Sequence, residues 1–281
     1  MKPKIFLSNL LFISTVLAIT SSCATTSKTF NQEVLRGDLF EVKRLIEEGA
    51  DVDSRDDIGF TSLMIASGAG HIDVAELLIE EGADVNAHLE GYTALMRAAT
   101  YNHSEITRLL IKSGADVDAQ TKDGFTALMY ASGEGNKEAA MVLIEAGSDC
   151  NMHNDSGGTA LMIASEMNNI EIVKQLIEAE ADINAQNNKG WTALIWVSLK
   201  GNTKVAELLV DEGADINLRD NKGSTPLILA SAFGYIDIVD LLIVEGADVN
   251  AKTNKGYTAL IVALESGHHD VVKLLKKAGA R

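Results

Sequence analysis

Gly223-Ser-Thr225-Pro226-Leu227 and, further on, Gly246-Ala-Asp248-Val-Asn250 decide how this chain folds, because both strings recur. Gly-x-Thr-x-Leu begins at Gly59, Gly91, Gly124, Gly157, Gly190, Gly223 and Gly256, in steps of 32 and then five times 33 residues. Between one such string and the next lie a small Ala-Ser pair, a Gly or Asn turn, an apolar run such as Leu77-Leu78-Ile79, and the Gly-Ala-Asp-Val-Asn turn. Self-similarity at a period in this range marks stacked units that bury a core only against their neighbours. Each mark has a physical reading. The threonines (Thr61, Thr93, Thr126, Thr159, Thr192, Thr225, Thr258) stand where a helix needs an N-cap oxygen. Pro226 occupies the first helical position, where its missing N–H is harmless. Leu63 and its equivalents point inward, and pairs such as Ala66-Ser67 let helices approach closely. Gly82 supplies a left-handed helix end, and Asp84 ties down the turn that follows.

This order of marks resembles the ankyrin repeat, across almost everything after the N-terminal stretch. The resemblance implies an all-α solenoid of stacked helix–turn–helix units with β-hairpin-like finger loops. Eight repeats are expected: an N-terminal cap over 31–55, units at 56–87, 88–120, 121–153, 154–186, 187–219 and 220–252, and a C-terminal cap over 253–281. The chain departs from the family in three places. The histidine of the family's Thr-Pro-Leu-His string is replaced by Met64, Met96, Met129, Met162, Ile195, Ile228 and Ile261, so packing must stand in for its hydrogen bond, with a somewhat looser stack. Glu180 takes a left-handed glycine slot. The 32-residue step puts a one-residue deletion in the loop around His88.

The chain has 281 residues, 46% apolar, 5% aromatic and 23% charged. That composition excludes disorder as the dominant state. A net charge of −16 argues against nucleic acid as a partner. The first residues differ from the rest. Lys2 and Lys4 precede an apolar run over 5–19 that is too short to span a bilayer, and Thr20-Ser-Ser-Cys23 follows. This reads as a signal peptide over 1–22. Small residues ending in cysteine resemble the lipobox of bacterial lipoproteins, which implies lipidation of Cys23 and a short tether over 23–30. Cleavage after Ala24, giving a soluble secreted or periplasmic protein, is the alternative. Two cysteines, Cys23 and Cys150, make no disulfide framework and no zinc site. Cys150 replaces a Val or Ile and reads as a small buried apolar residue.

No catalytic, cofactor-binding or metal-binding constellation is expected. His71, His103 and His268 follow the inter-helix turn, where the family has a structural histidine. His88, His153 and His269 complete no ligand set. Gly68-Ala-Gly70 and Gly133-Glu-Gly135 lie between helices, not between a strand and a helix as phosphate cradles do. What remains is surface. Ankyrin-like stacks bind proteins with their fingers and first-helix ends, on the concave side. Those slots hold Tyr92, Phe125, Trp191 and Tyr257 on fingers, and Tyr101, Met167 and Phe233 at helix ends. Such residues suit interface anchors. The finger tips run acidic early (Asp56, Asp57, Glu90, Asp123, Asp155) and basic late (Lys189, Lys222, Lys255), a polarity that orients a partner. The expectation is a monomeric, non-catalytic scaffold in the bacterial cell envelope that holds a protein partner and touches the membrane only through its lipid. The alternative is a periplasmic inhibitor or immunity protein acting on a toxin or enzyme.

Overall fold

The computed structural model describes residues 27–281. The expected signal peptide and Cys23 lie outside the described residues. The chain divides into two compact units, with the boundary in sequence after Asp116.

In the first unit, α1 spans 27–36 and α2 Leu39–Glu47, and α3 (Ser62–Ala69) and α4 (Ile72–Glu80) form the next pair. A two-stranded hairpin, β1 (His88–Leu89) and β2 (Tyr92–Thr93), leads into α5 (Ala94–Thr100) and α6 (Ser104–Lys112). The tether expected over 23–30 is corrected at its end, because residues 27–30 are already helical. Phe30 and Val34, one helical turn apart, are both fully buried, so this segment joins the core. The N-terminal repeat therefore includes residues before 31.

The second unit repeats one pair five times: α7 (Ala127–Glu134) and α8 (Lys137–Glu145), α9 (Ala160–Glu166) and α10 (Ile170–Glu178), α11 (Ala193–Lys200) and α12 (Thr203–Asp211), α13 (Pro226–Phe233) and α14 (Ile236–Val244), α15 (Ala259–Glu265) and α16 (His269–Lys277). Within each unit, first helices pack on first helices and second on second, as α9 does on α7 and α11, and α10 on α8 and α12.

The sequence explains the two layers. First helices are apolar nearly all round because both flanks are covered; in α11, Ala193, Leu194, Ile195, Val197 and Ser198 are all buried. Second helices are amphipathic and bury one stripe, Val205, Ala206 and Leu209 in α12. Every repeat threonine caps its helix, its Oγ1 accepting the N–H three residues on at 3.1–3.3 Å. Such a cap stabilises by about 1 kcal/mol. Met64, Met96, Met129 and Met162 are no more than 2% exposed, so the slot the family gives to histidine is filled by apolar volume.

Turns hold the repeats in register. Asp84 Oδ1 accepts from Asn86 N at 2.9 Å, as expected for a turn-closing aspartate. The last residue of each turn reaches onward. Asp53 accepts from Asp84 N and Asn86 from Asp116 N in the first unit. In the second, Asp118, Asn151, Asn184, Asn217 and Asn250 accept in the same way from Asp149, Asp182, Asp215, Asp248 and Arg281.

Paired strands occur in only one finger among the described residues, where His88 pairs with Thr93 and Leu89 with Tyr92. Its two-residue tip, Glu90 (φ 51°) and Gly91 (φ 84°), is left-handed at both positions, the turn that matches strand twist. This is the consequence of the one-residue deletion. The finger at 121–125 keeps an extra residue and ends on a left-handed Gly124, with Thr121 N donating to Phe125 O. The fingers are hairpin-like as expected: outside this one, a backbone bond closes a three-residue loop, with an antiparallel bridge between Arg55 and Thr61 in the first finger.

Glu180 adopts φ 61° in the slot that glycine fills elsewhere. Glu180→Gly is expected to raise stability by about 1 kcal/mol by removing the left-handed strain. Ala179→Gly, at an ordinary φ of −88°, should lower it. Paired urea melts check the difference in sign.

Candidate functional site

The histidines that follow the inter-helix turns, and the glycines opposite them, hold neighbouring repeats together. His71, His103 and His268 each place Nε2 near a carbonyl of the preceding repeat, on Leu35, Gly68 and Ala232 at 2.9, 3.2 and 3.1 Å. Asn169 and Asn202 do the same work with amide donors to Ser132 and Ser165. The glycines opposite are needed for this approach; a Cβ on Gly70 or Gly234 would sit 2.5 Å from the ring of His103 or His268. His88 Nδ1 accepts from Gly91 N, and His153 Nδ1 lies 2.9 Å from Asn151 O. Among the described residues, no three His, Cys, Asp or Glu side chains group to hold a metal ion. Cys150 is buried, and burial pushes its thiol pKa up, with Asp149 and Asp118 adding to the effect.

The expected anchor residues divide between the units. Tyr92 and Tyr101 belong to the first; Phe125, Met167, Trp191, Phe233 and Tyr257 belong to the second. The two kinds of slot behave differently. Helix-end residues are open: Tyr101, Met167 and Phe233 are 56%, 55% and 51% exposed. Phe233 stacks on Tyr235 with ring centroids 6.1 Å apart. The finger rings of Tyr92, Phe125 and Trp191 are half-buried and hold structure together. Tyr92 Oη lies 3.2 Å from Thr100 Oγ1, and Phe125 packs 5.6 Å from Tyr130. Trp191 donates from Nε1 to Asp220 Oδ2 at 3.3 Å, tying one finger to the next. Tyr257 is the most open finger ring of the second unit.

A third row was missed by reasoning from the sequence. It lies mid-way along each first helix, at Ile65, Arg97, Tyr130, Ile163, Trp196, Leu229 and Val262. All but Ile65 are only half-buried, between the finger and the helix-end slots. The signal was available. In Thr-x-Leu-[Met/Ile]-x-[Ala/Val], the residue at the second x runs through Ile, Arg, Tyr, Trp, Leu and Val while its flanks stay Met or Ile before it and Ala or Val after it. A solvent- or partner-facing position varies in this way, and a core position does not.

In the second unit these rows make an aromatic and basic surface. Trp191 and Trp196 meet edge to face, 4.5 Å between centroids at 86°. Lys189 lies 5.0 Å over Trp191 and Lys200 5.7 Å over Trp196. Lys200 also pairs with Glu166 at 3.0 Å. Exposed cation–ring contacts contribute only about 0.5–1 kcal/mol each. Their effect is to place positive charge around a broad apolar platform.

Capped helix pairs, inter-repeat turn bonds and an exposed first-helix face define a repeat protein built for recognition. The family model for ankyrin repeats (three copies) matches residues 31–121, 108–187, 180–253 and 217–281, so the chain belongs to the ankyrin-repeat family. It is 46% identical over 57 residues to protein phosphatase 1 regulatory subunit 27 of Homo sapiens, and equally so to that of Mus musculus. That stretch is 20% of this chain and 37% of those proteins. It is 50% identical over 52 residues to ankyrin repeat domain-containing protein 29 of Homo sapiens, 18% of this chain and 17% of that protein. The chain thus spans 37% of the length of the two phosphatase regulatory subunits and 17% of the third relative, in each case over a stretch shorter than two of its repeats. Ankyrin repeats carry protein–protein interactions, and that is the general role of this fold.

Proposed function

We propose that this chain is a non-catalytic scaffold, lipid-anchored in a bacterial envelope through Cys23, which captures a partner protein on the first-helix and finger face of residues 117–281. The observation that carries the binding face is the exposure of Met167 and Phe233 in the repeats on either side of Trp196, which is itself half-buried against Trp191. Large apolar side chains left open in slots where the fold needs none are anchors for a partner. Lysines at this face favour a partner surface with acidic groups beside its apolar ones. The anchor rests on Lys2, Lys4, the apolar run over 5–19 and Ser21-Ser22-Cys23. Among the described residues no helix is long and apolar enough to cross a membrane.

Crosslinking pull-downs from native membranes test both parts. Phe233→Ala should weaken capture by about thirtyfold with little change in melting temperature, and Trp196→Ala should weaken it comparably while also lowering the melting temperature, since its half-buried indole packs on Trp191. Trp191→Ala should lower the melting temperature as well, since its indole also bonds Asp220. Cys23→Ala should move the protein into the soluble envelope fraction. Undiminished capture by folded Trp196→Ala and Phe233→Ala proteins would refute the face. Unchanged membrane retention of Cys23→Ala would refute the anchor.

A further inference from the structure

The N-terminal repeat leaves one edge apolar. Leu35, Leu39 and Phe40 flank the turn between α1 and α2 and are 60%, 40% and 80% exposed. Phe40 is the second residue of α2. The other seven second helices carry Asp, Glu or Lys at that position, from Asp73 in α4 to Asp270 in α16, and each is exposed. The position thus faces solvent in every repeat, and packing within the fold asks for no ring there. Terminal repeats of a stacked array normally turn polar residues outward, because no neighbour covers them. This cap does the reverse at three adjacent places.

Position along the chain says what covers the edge. If Cys23 carries the lipid, residues 24–26 alone separate the anchor from the start of α1 at 27. Those steps span at most about 14 Å, even fully extended. The helix α1 is about 15 Å long, so with α1 along the bilayer surface its far end rests on the headgroups. A second copy of the chain fits less well. The three side chains expose about 300 Å² together, against roughly 800 Å² on each partner of a stable protein pair. A surface already held by a lipid needs far less area, because the tether has met the entropy cost of association. Nearby charge is largely neutralised: Glu33 pairs with Arg36, and Glu41 and Glu48 with Arg44. Lys43 is exposed one turn beyond Phe40, placed to reach headgroup phosphates.

We propose that the α1–α2 edge of the N-terminal repeat is a membrane-contact surface, with Phe40, Leu35 and Leu39 dipping into the headgroup layer beside the anchor. Apolar side chains at this depth, with a lysine at the rim, are the chemistry of interfacial binding. The inference rests on lipidation of Cys23 and adds what a lipid alone leaves open. A tethered unit pivots on its anchor, whereas a second contact holds the first unit in one orientation.

The test uses the protein extracted from bacterial membranes, its mass measured, then reconstituted into vesicles of phosphatidylethanolamine and phosphatidylglycerol. Soluble Cys23→Ala protein without vesicles is the unbound reference. Amide exchange over residues 35–41 should slow about fivefold or more on the vesicles. Phe40→Asp installs a residue type that other repeats carry at this position. It should return exchange to the reference rate while the lipid keeps the protein on the vesicles. Phe40→Trp should add tryptophan emission quenched by phospholipids brominated on their acyl chains, above the background from Trp191 and Trp196. A mass without acyl chains on Cys23 refutes the anchor, and this surface with it. With the acyl mass present, unchanged exchange over 35–41 or no added quenching refutes the surface alone and leaves the anchor standing. So does protection that persists in Phe40→Asp, or that rises with protein density on the vesicles, the mark of a second copy.

Discussion

Leu176→Ala is expected to cost about 2–5 kcal/mol and to damage the second unit unevenly. Leu176 is fully buried in α10, which packs on α8, α9 and α12. Truncation removes the transfer free energy of the side chain and leaves a cavity that these helices close only in part. In a repeat array the loss is passed between neighbours rather than shared by the whole. Amide exchange should therefore accelerate most across α8–α12 and least in α15 and α16. Equal acceleration over all of residues 117–281 would show that the unit folds as one cooperative block, and a loss under about 1 kcal/mol would show that the site repacks.

The second large effect isolates the contact between adjacent fingers. Gly124 and Gly147 are both left-handed, at φ 79° and 86°. An alanine at either position pays about 1–2 kcal/mol for the backbone conformation alone. At Gly147 the new Cβ meets nothing within 4 Å. At Gly124 it stands 2.9 Å from Asn154 Cα and 3.0 Å from Asp155 N, backbone atoms of the next finger. Those atoms cannot move aside as a flexible side chain does, because Asp155 N donates to Asp123 O at 3.0 Å and Asn154 N to Gly158 O at 3.1 Å. Gly124→Ala should therefore cost about 2–5 kcal/mol, and Gly147→Ala about 1–2. Urea melts of the two variants give the difference directly. Equal losses would mean that the fingers slide past each other freely and that their register is set by the helices alone.

Finger bonding bears on recognition. In the second unit Asn188, Asn221 and Asn254 each donate a side-chain amide to the finger before, at 2.8–3.0 Å. Gln186 and Arg219 each bond their own finger's glycine carbonyl and the next finger at once. These bonds hold Trp191 and its neighbours before any partner arrives, which lowers the ordering cost of binding.

Local features of the fold were legible in the sequence because they depend on one repeat at a time. Threonine caps, Pro226 at its helix start, Glu180 in a left-handed slot and Asp84 in its turn all act within a few residues. Their identity is enough to place them, and the period multiplies the signal seven times. The structural role of His71, His103 and His268 was legible too, through the slot they share. The sequence alone did not tell which slots face outward together. Trp196 and Arg97 stand among residues that read as ordinary first-helix core, and their half-exposure follows from how neighbouring first helices stack. Trp191 read as a free anchor, yet its bond to Asp220 joins residues 29 apart, an encounter only stacking creates. Residues 27–30 read as tether because no repeat mark reaches them; burial of Phe30 draws them into the helix. The setting of Arg97 needed most from tertiary structure. It depends on a glycine in α3 and a ring from the finger at 55–60, pieces too far apart in the chain for periodicity or propensity to relate. The repeat period determines the scaffold, and contacts between repeats decide where that scaffold is left unsatisfied.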